Sequence, residues 1–200
     1  DRPNYTTDGI PFLTAKNVRD HGVTFDDIDF VSKNDAKIFH NKCNPQQNDI
    51  LIVSRGATVG RLCTVNTDKN FCLLGSVILI KTKKTITSKF LAYFLKSPTQ
   101  RRDLIKISGS TAQQAIYIRD IKKSLIPLPP LEEQEQIVSQ LEQGFSLIEN
   151  SQRIVNSTLQ TLETMRMSIL KQAFQGKLVP QDPNDEHAEI LLEQIKKQKA

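Results

Sequence analysis

Three short stretches of this sequence gather side chains suited to holding a polyanion. In RGATVGR, Arg55 and Arg61 bracket a turn punctuated by Gly56 and Gly60, with Thr58 between them. An arginine fork is planar and permanently charged, and it matches both phosphate oxygens and the major-groove edge of guanine. In KISGSTAQQAIYI a glycine-serine turn leads into Gln113 and Gln114, and glutamine pairs bidentately with adenine. Lys106, Thr111 and Arg119 suit phosphates and would set the register of a bound duplex; Ser110 sits in the turn beside them. Lys16, Asn17 and Arg19 form the third polar cluster. Any one of these residues is also what a solvated loop displays, so the set carries more weight than its members.

Catalytic constellations are missing where they would be expected. RGATVGR is not a phosphate loop, because its glycines lie too close together and no Lys-Ser/Thr follows. No G-x-G-x-x-G opens a helix after a strand, which argues against a dinucleotide or S-adenosylmethionine fold. The Asn/Asp-Pro-Pro-aromatic tetrapeptide of amino-directed DNA methyltransferases fails at its nearest match, Asn44-Pro45-Gln46-Gln47. No glutamate precedes Glu132, so the Asp/Glu/Lys triad of a metal-dependent nuclease cannot sit in the first half. His21, His40 and His187 are scattered, and Cys43, Cys63 and Cys72 include no C-x-x-C pair. The expectation is a binding module with no metal and no cofactor of its own. The odd cysteine count reads as reduced thiols in a cytoplasmic protein. No apolar run approaches the roughly 18 residues of a membrane span, so no membrane partner is expected.

The elements that must present these loops fall into two halves. Residues 1–130 carry 20 lysines and arginines against 11 aspartates, a net of +9. Residues 131–200 carry 7 basic against 11 acidic residues, a net of −4. A basic half joined to an acidic half suggests a polyanion reader attached to something else. The first half reads as mixed α/β. Apolar, β-branched runs at 50–53, 59–65 and 75–82 read as strands. Phe90, Leu91, Phe94 and Leu95 recur at helical spacing after a cap at Thr87 or Ser88, and Pro98 ends that helix. IKKSLIPLPP then runs extended, since each proline biases its predecessor out of helix.

After Pro130 the period changes. Glu132, Glu133 and Glu135 crowd the first turns of a predicted helix, where the helix dipole favours negative charge. Val138, Leu141, Phe145, Ile148, Val155, Leu159, Leu162 and Ile169 then recur at alternating steps of three and four. Gln152 and Arg166 interrupt this seam, and polar seam positions often fix register or partner. A seam sustained over five heptads needs another helix to cover it. Gly176 reads as the stop, followed by a proline-broken linker and a short amphipathic helix. The expected organisation is therefore a domain at 1–130, a long helix at 131–175, and a linker with a short C-terminal helix at 176–200.

Several segments, in order, resemble the specificity subunit of type I restriction–modification systems. IPFLTAKNVRDHGV is similar to that family's opening segment, and NDILIVSRGATVGR to its strand–turn–strand, with Asn48 where glycine is usual. SGSTAQQAIYIRDIKKSLIPLPPLEEQEQIV resembles its most recognisable stretch, though Gln114-Ala115 stands where Lys-Asn is more common. LKQAFQGKLVPQDPNDE is similar to the end of its conserved helical region.

The resemblance implies a globular α/β target recognition domain followed by a long α-helix that pairs as an antiparallel coiled coil. It also implies a non-catalytic subunit that reads one half of a bipartite site on double-stranded DNA. Modification (methyltransferase) subunits would carry S-adenosylmethionine, and restriction subunits would use ATP and magnesium. The chain starts at Asp1, not Met, and holds one such unit. It therefore reads either as half of a full subunit or as a half-length subunit pairing with its own copy as a homodimer. Two other classes stay open: a recognition module of a fused type II restriction–methylation enzyme, and a coiled-coil adaptor that does not bind DNA.

Overall fold

The structure is a computed structural model, and it describes residues 3–107, 115–180 and 182–198. In chain order the elements are β1 (Tyr5–Thr6), β2 (Ile10–Leu13), β3 (Val18–Arg19), β4 (Gly22–Val23), β5 (Asp29–Val31), α1 (Lys33–Lys42), β6 (Ile50–Val53), β7 (Leu62–Thr64), β8 (Cys72–Leu73) and β9 (Val77–Ile80). They continue with α2 (Ser88–Lys96), α3 (Pro98–Ile107), α4 (Ile118–Ile121), α5 (Leu131–Phe174) and α6 (Ala188–Gln198). This is the mixed α+β architecture with a long helix that the sequence leads one to expect. The chain divides into two packed units, Asp1–Glu142 and Gln143–Ala200.

The first unit is organised around the sheet β7-β6-β9, which is antiparallel throughout. The run Ile50-Leu51-Ile52-Val53 is apolar at every position because both faces of β6 are covered. Side chains alternate across a strand, so the run feeds two separate cores. Leu51 and Val53 join Leu13, Val18, Val23, Cys63 and Phe71. Ile50 and Ile52 join Leu91, Ala92 and Leu95 of α2, together with Leu104 and Ile116. A second sheet, β1-β5-β2-β8, pairs β2 with β8 in parallel and its other strands antiparallel. Beneath it Phe12, Val31, Ala36 and Cys72 make a third cluster, closed by α1. The helix α1 had no clear periodic signal; Ser32 caps it by accepting from Asp35 N at 3.1 Å.

Two boundaries have local causes. Thr87 caps α2, its hydroxyl accepting from Phe90 N at 3.3 Å, and Pro98 opens α3. The run 59–65, expected as one strand, is strand only over Leu62–Thr64. Val59 and Gly60 instead belong to the turn, with Gly60 at φ 79°, a conformation strands do not use. Asn48 has φ 70°, and asparagine tolerates that left-handed region better than other side chains. This accounts for asparagine where the resemblance expects glycine.

The helix α5 has 44 residues, roughly 66 Å at 1.5 Å per residue. Its first turns belong to the α/β unit, past the boundary expected at residue 130. Gln134 is fully buried there. Its amide accepts from Thr87 N at 2.9 Å and donates to the carbonyls of Thr85 (3.0 Å) and Pro129 (2.9 Å). Lys89 adds an exposed ion pair to Glu142 at 2.8 Å. At its far end the helix stops where Gly176 turns left-handed at φ 66°.

Candidate nucleic-acid interface

The glycine turn is held from both ends. Gly60 N donates to Val53 O at 2.9 Å, and Val53 N donates to Arg61 O at 2.8 Å, so the chain reverses within one β6–β7 connection. Positive φ at Gly56 and Gly60 permits the reversal. Ser54 is buried at the base. Its N–H donates to Ser76 O at 2.8 Å, and its carbonyl accepts from Ile116 N at 2.9 Å. An antiparallel bridge joins Arg55 to Ala115. The segment 115–117 thus lies along the root of the turn, sixty residues away in sequence.

The far side of the turn rests on α3. A side chain built on Gly60 would stand 3.6 Å from Ile105 and 3.8 Å from Ile116, so both pack over that glycine. Lys106 follows Ile105 on the last turn of α3 and is exposed. Of the residues singled out from sequence, Arg55, Thr58, Arg61, Lys106 and Arg119 belong to these converging segments. Ser110, Thr111, Gln113 and Gln114 lie outside the described residues.

One residue in this cluster was not singled out. Tyr117 is 43% exposed, with the Arg119 guanidinium 4.8 Å and the Arg55 guanidinium 6.0 Å from its ring centre. Both distances are within cation–π range. Asp120 holds the segment: its carboxylate accepts from Tyr117 N at 3.2 Å, while its own N–H donates to Tyr117 O at 2.9 Å. That carboxylate also lies 3.7 Å from Arg119 Nε. The sequence signal was present, an aromatic two positions before an arginine, but its link to Arg55 is purely tertiary.

In the third polar cluster the structure corrects Asn17. Asn17 is fully buried, with Oδ1 accepting from Thr14 N at 3.0 Å and Nδ2 donating to Asp26 O at 3.2 Å. Its amide shapes a loop and offers nothing to DNA. Lys16 donates to Asp27 at 2.8 Å, a bond that raises the lysine pKa and lowers that of the aspartate. Arg19 pairs with Gly22 in the β3–β4 hairpin, and Gly22 abuts Asn66, beyond the end of β7 that faces away from the glycine turn. The backbone of this cluster is therefore not part of the Arg55–Tyr117–Arg119 site.

The apolar seam of α5 divides as well. Val138, expected to face a partner helix, is only 7% exposed within the α/β unit. Leu141, Phe145, Ile148, Val155, Leu159, Leu162 and Ile169 all remain exposed. Large apolar side chains in a seam interrupted only at Gln152 and Arg166 are costly to leave in water, which is the condition that helix pairing relieves. Among the described residues no three His, Cys, Asp or Glu side chains are grouped to hold a metal, and no helix is long and apolar enough to cross a membrane.

A two-sided α/β unit presents a basic turn and is continued by a helix with an exposed seam. Residues 3–159 match the family model described as type I restriction modification DNA specificity domain, and the chain belongs to that family. It is 31% identical over 202 residues to the type I restriction enzyme EcoBI specificity subunit of Escherichia coli, covering 96% of this chain and 42% of that one. To the EcoKI specificity subunit of Escherichia coli (strain K12) it is 27% identical, covering 100% of this chain and 46% of the relative. The chain thus spans less than half the length of these relatives. Among solved structures, the HsdS subunit from Thermoanaerobacter tengcongensis superposes with a TM-score of 0.59 at 25% identity, covering 88% of this chain and 40% of that one. A chain from work on complex assembly and conformational transition of the type I R-M system reaches 0.67 at 26% identity, with the same coverages.

Proposed function

We infer that this chain is a sequence-specific DNA-reading unit of a type I restriction–modification complex and is not itself catalytic. Residues 1–130 supply the recognition surface for one half of a bipartite duplex site. Residues 131–175 supply the helix whose seam pairs antiparallel with a second such helix, from the same subunit or from a copy of this chain. Residues 176–200 follow as linker and short helix. Methyltransferase subunits carrying S-adenosylmethionine, and restriction subunits using ATP and magnesium, assemble on it in the cytoplasm. The observation that carries this reading is that the segments bearing Arg55, Arg61, Lys106 and Arg119 meet around one glycine turn, in a chain of the DNA specificity domain family.

The test is selection of bound duplexes from a random pool, using the chain alone and with its modification subunit and S-adenosylmethionine. A split motif with a fixed gap is the expected result, and a palindromic one would identify self-pairing. Affinity should fall steeply as salt rises, because each phosphate contact releases counterions. No enrichment under either condition, with no affinity at low salt, would overturn the reading.

A further inference from the structure

The arginines of the interface are not equivalent. Arg55 and Arg119 share one aromatic ring, at 6.0 Å and 4.8 Å from its centre. Two like charges drawn to one ring repel each other, and the only carboxylate beside them in the described residues is largely committed elsewhere. Asp120 is 8% exposed, accepts from Tyr117 N, and reaches Arg119 only at 3.7 Å. Arg55 has no ion pair among the described residues. The backbones of both arginines are fixed, one by the bridge to Ala115 and the other by the turn that Asp120 closes. The site is thus a pair of guanidiniums on fixed backbones that share the Tyr117 ring, Arg119 with one ion pair to Asp120 and Arg55 with none among the described residues.

A phosphate accepts such a fork but does not depend on it, since a point charge on a flexible stem, as in lysine, also serves it. A ring that restrains a guanidinium plane lowers the entropy lost on forming two parallel hydrogen bonds, and this matters where planar, bidentate geometry is demanded. Among base edges, the acceptor pair that fits the fork is O6 and N7 of guanine in the major groove.

We propose that Tyr117 is a specificity-determining residue that orients Arg55 and Arg119 toward guanine, so that the half-site read by this chain contains at least one guanine fixed by this trio. The proposal rests on the DNA-reading assignment above and adds to it the base class and the residues that read it. It moves Arg119 from phosphate positioning, as expected from sequence, to base reading.

The test begins with the consensus that the full wild-type chain selects from a random duplex pool. Each guanine is then replaced by adenine, and separately by 7-deazaguanine, which lacks the N7 acceptor. For wild type, one guanine position should lose about tenfold or more in affinity on either replacement, the discrimination expected of a bidentate contact. Tyr117→Leu should erase that preference while leaving the preferences at other positions intact. Tyr117→Phe should keep it, since the ring and not the hydroxyl does the steering. Arg119→Lys, which retains charge without the fork, should behave as Tyr117→Leu does. Thermal melting checks that each variant folds; if Tyr117→Leu does not, Arg119→Lys at an exposed position decides.

Three results would overturn the proposal. One is a consensus with no guanine sensitive to 7-deaza replacement. Another is base preference unchanged in the folded variants. The third is a uniform loss across all sequences, which would reassign both arginines to the phosphates. Failure of wild type to enrich any sequence, alone or with its modification subunit, together with no affinity at low salt, would instead remove the DNA-reading assignment, and the proposal with it.

Discussion

Replacing Gln134 by methionine should destabilise the α/β unit far more than a single glutamine substitution on a helix ordinarily does. The side chain is fully buried and saturates three backbone groups: Thr87 N–H, Thr85 C=O and Pro129 C=O. Methionine nearly conserves the volume, so little cavity forms and the cost is that of orphaned polar groups. A fully buried group left without a partner costs about 1–3 kcal/mol, but Thr85 is exposed and Thr87 and Pro129 are half-buried, so water replaces part of each bond. The total is then roughly 1–3 kcal/mol, still a sizeable share of the 5–15 kcal/mol typical of a domain. In urea, with a slope of about 2 kcal/mol/M, the midpoint should fall by roughly 0.5–1.5 M. Far-UV circular dichroism follows the transition, and hydrogen exchange of the Thr87 amide reports the broken bond directly. Gln160→Met, exposed on the same helix, is the control and should stay within about 0.5 kcal/mol. A Gln134→Met midpoint indistinguishable from that control, with the Thr87 amide still protected, would refute the reasoning.

Arg55→Ala and Arg61→Ala should each weaken target binding by about 1–3 kcal/mol in a titration at fixed salt, while the melting temperature holds, because both flank a turn and fill no core. Glutamate at both Leu159 and Leu162 should abolish pairing in sedimentation or pull-down with the partner helix and leave the α/β unit's melting unchanged, since both side chains are exposed. Burial pushes the Cys63 and Cys72 thiols from 9.0 up to about 11. Between those values the folded chain holds protons that the unfolded chain has lost, so stability present below pH 9 declines as pH rises toward 11. Urea midpoints across that range should fall, and Cys63→Ala should flatten the decline.

Much of this organisation was legible in order along the chain. The period of three and four after Pro130 announced α5, the apolar run 50–53 announced β6, and Thr87 and Pro98 marked α2 and α3 because capping and proline geometry act within one turn. The change from a basic to an acidic half separated the α/β part from the long helix. The resemblance to a DNA specificity family rested on several such local segments in sequence order. Asn17 misled for the same reason, since residue type is local but burial is not.

Tertiary structure alone decided which polar side chains meet. It seated Asn17 in the interior, covered Val138 with the chain's own α/β unit, and turned Gln134 from an ordinary helix former into a buried latch on residues 85–87. It also brought Tyr117 and Arg119 against Arg55. The physical reason is that periodicity, capping and turn chemistry are set by neighbours within a few residues, whereas contacts across fifty or sixty residues exist only once β6 has buried both its faces and fixed what packs at its end.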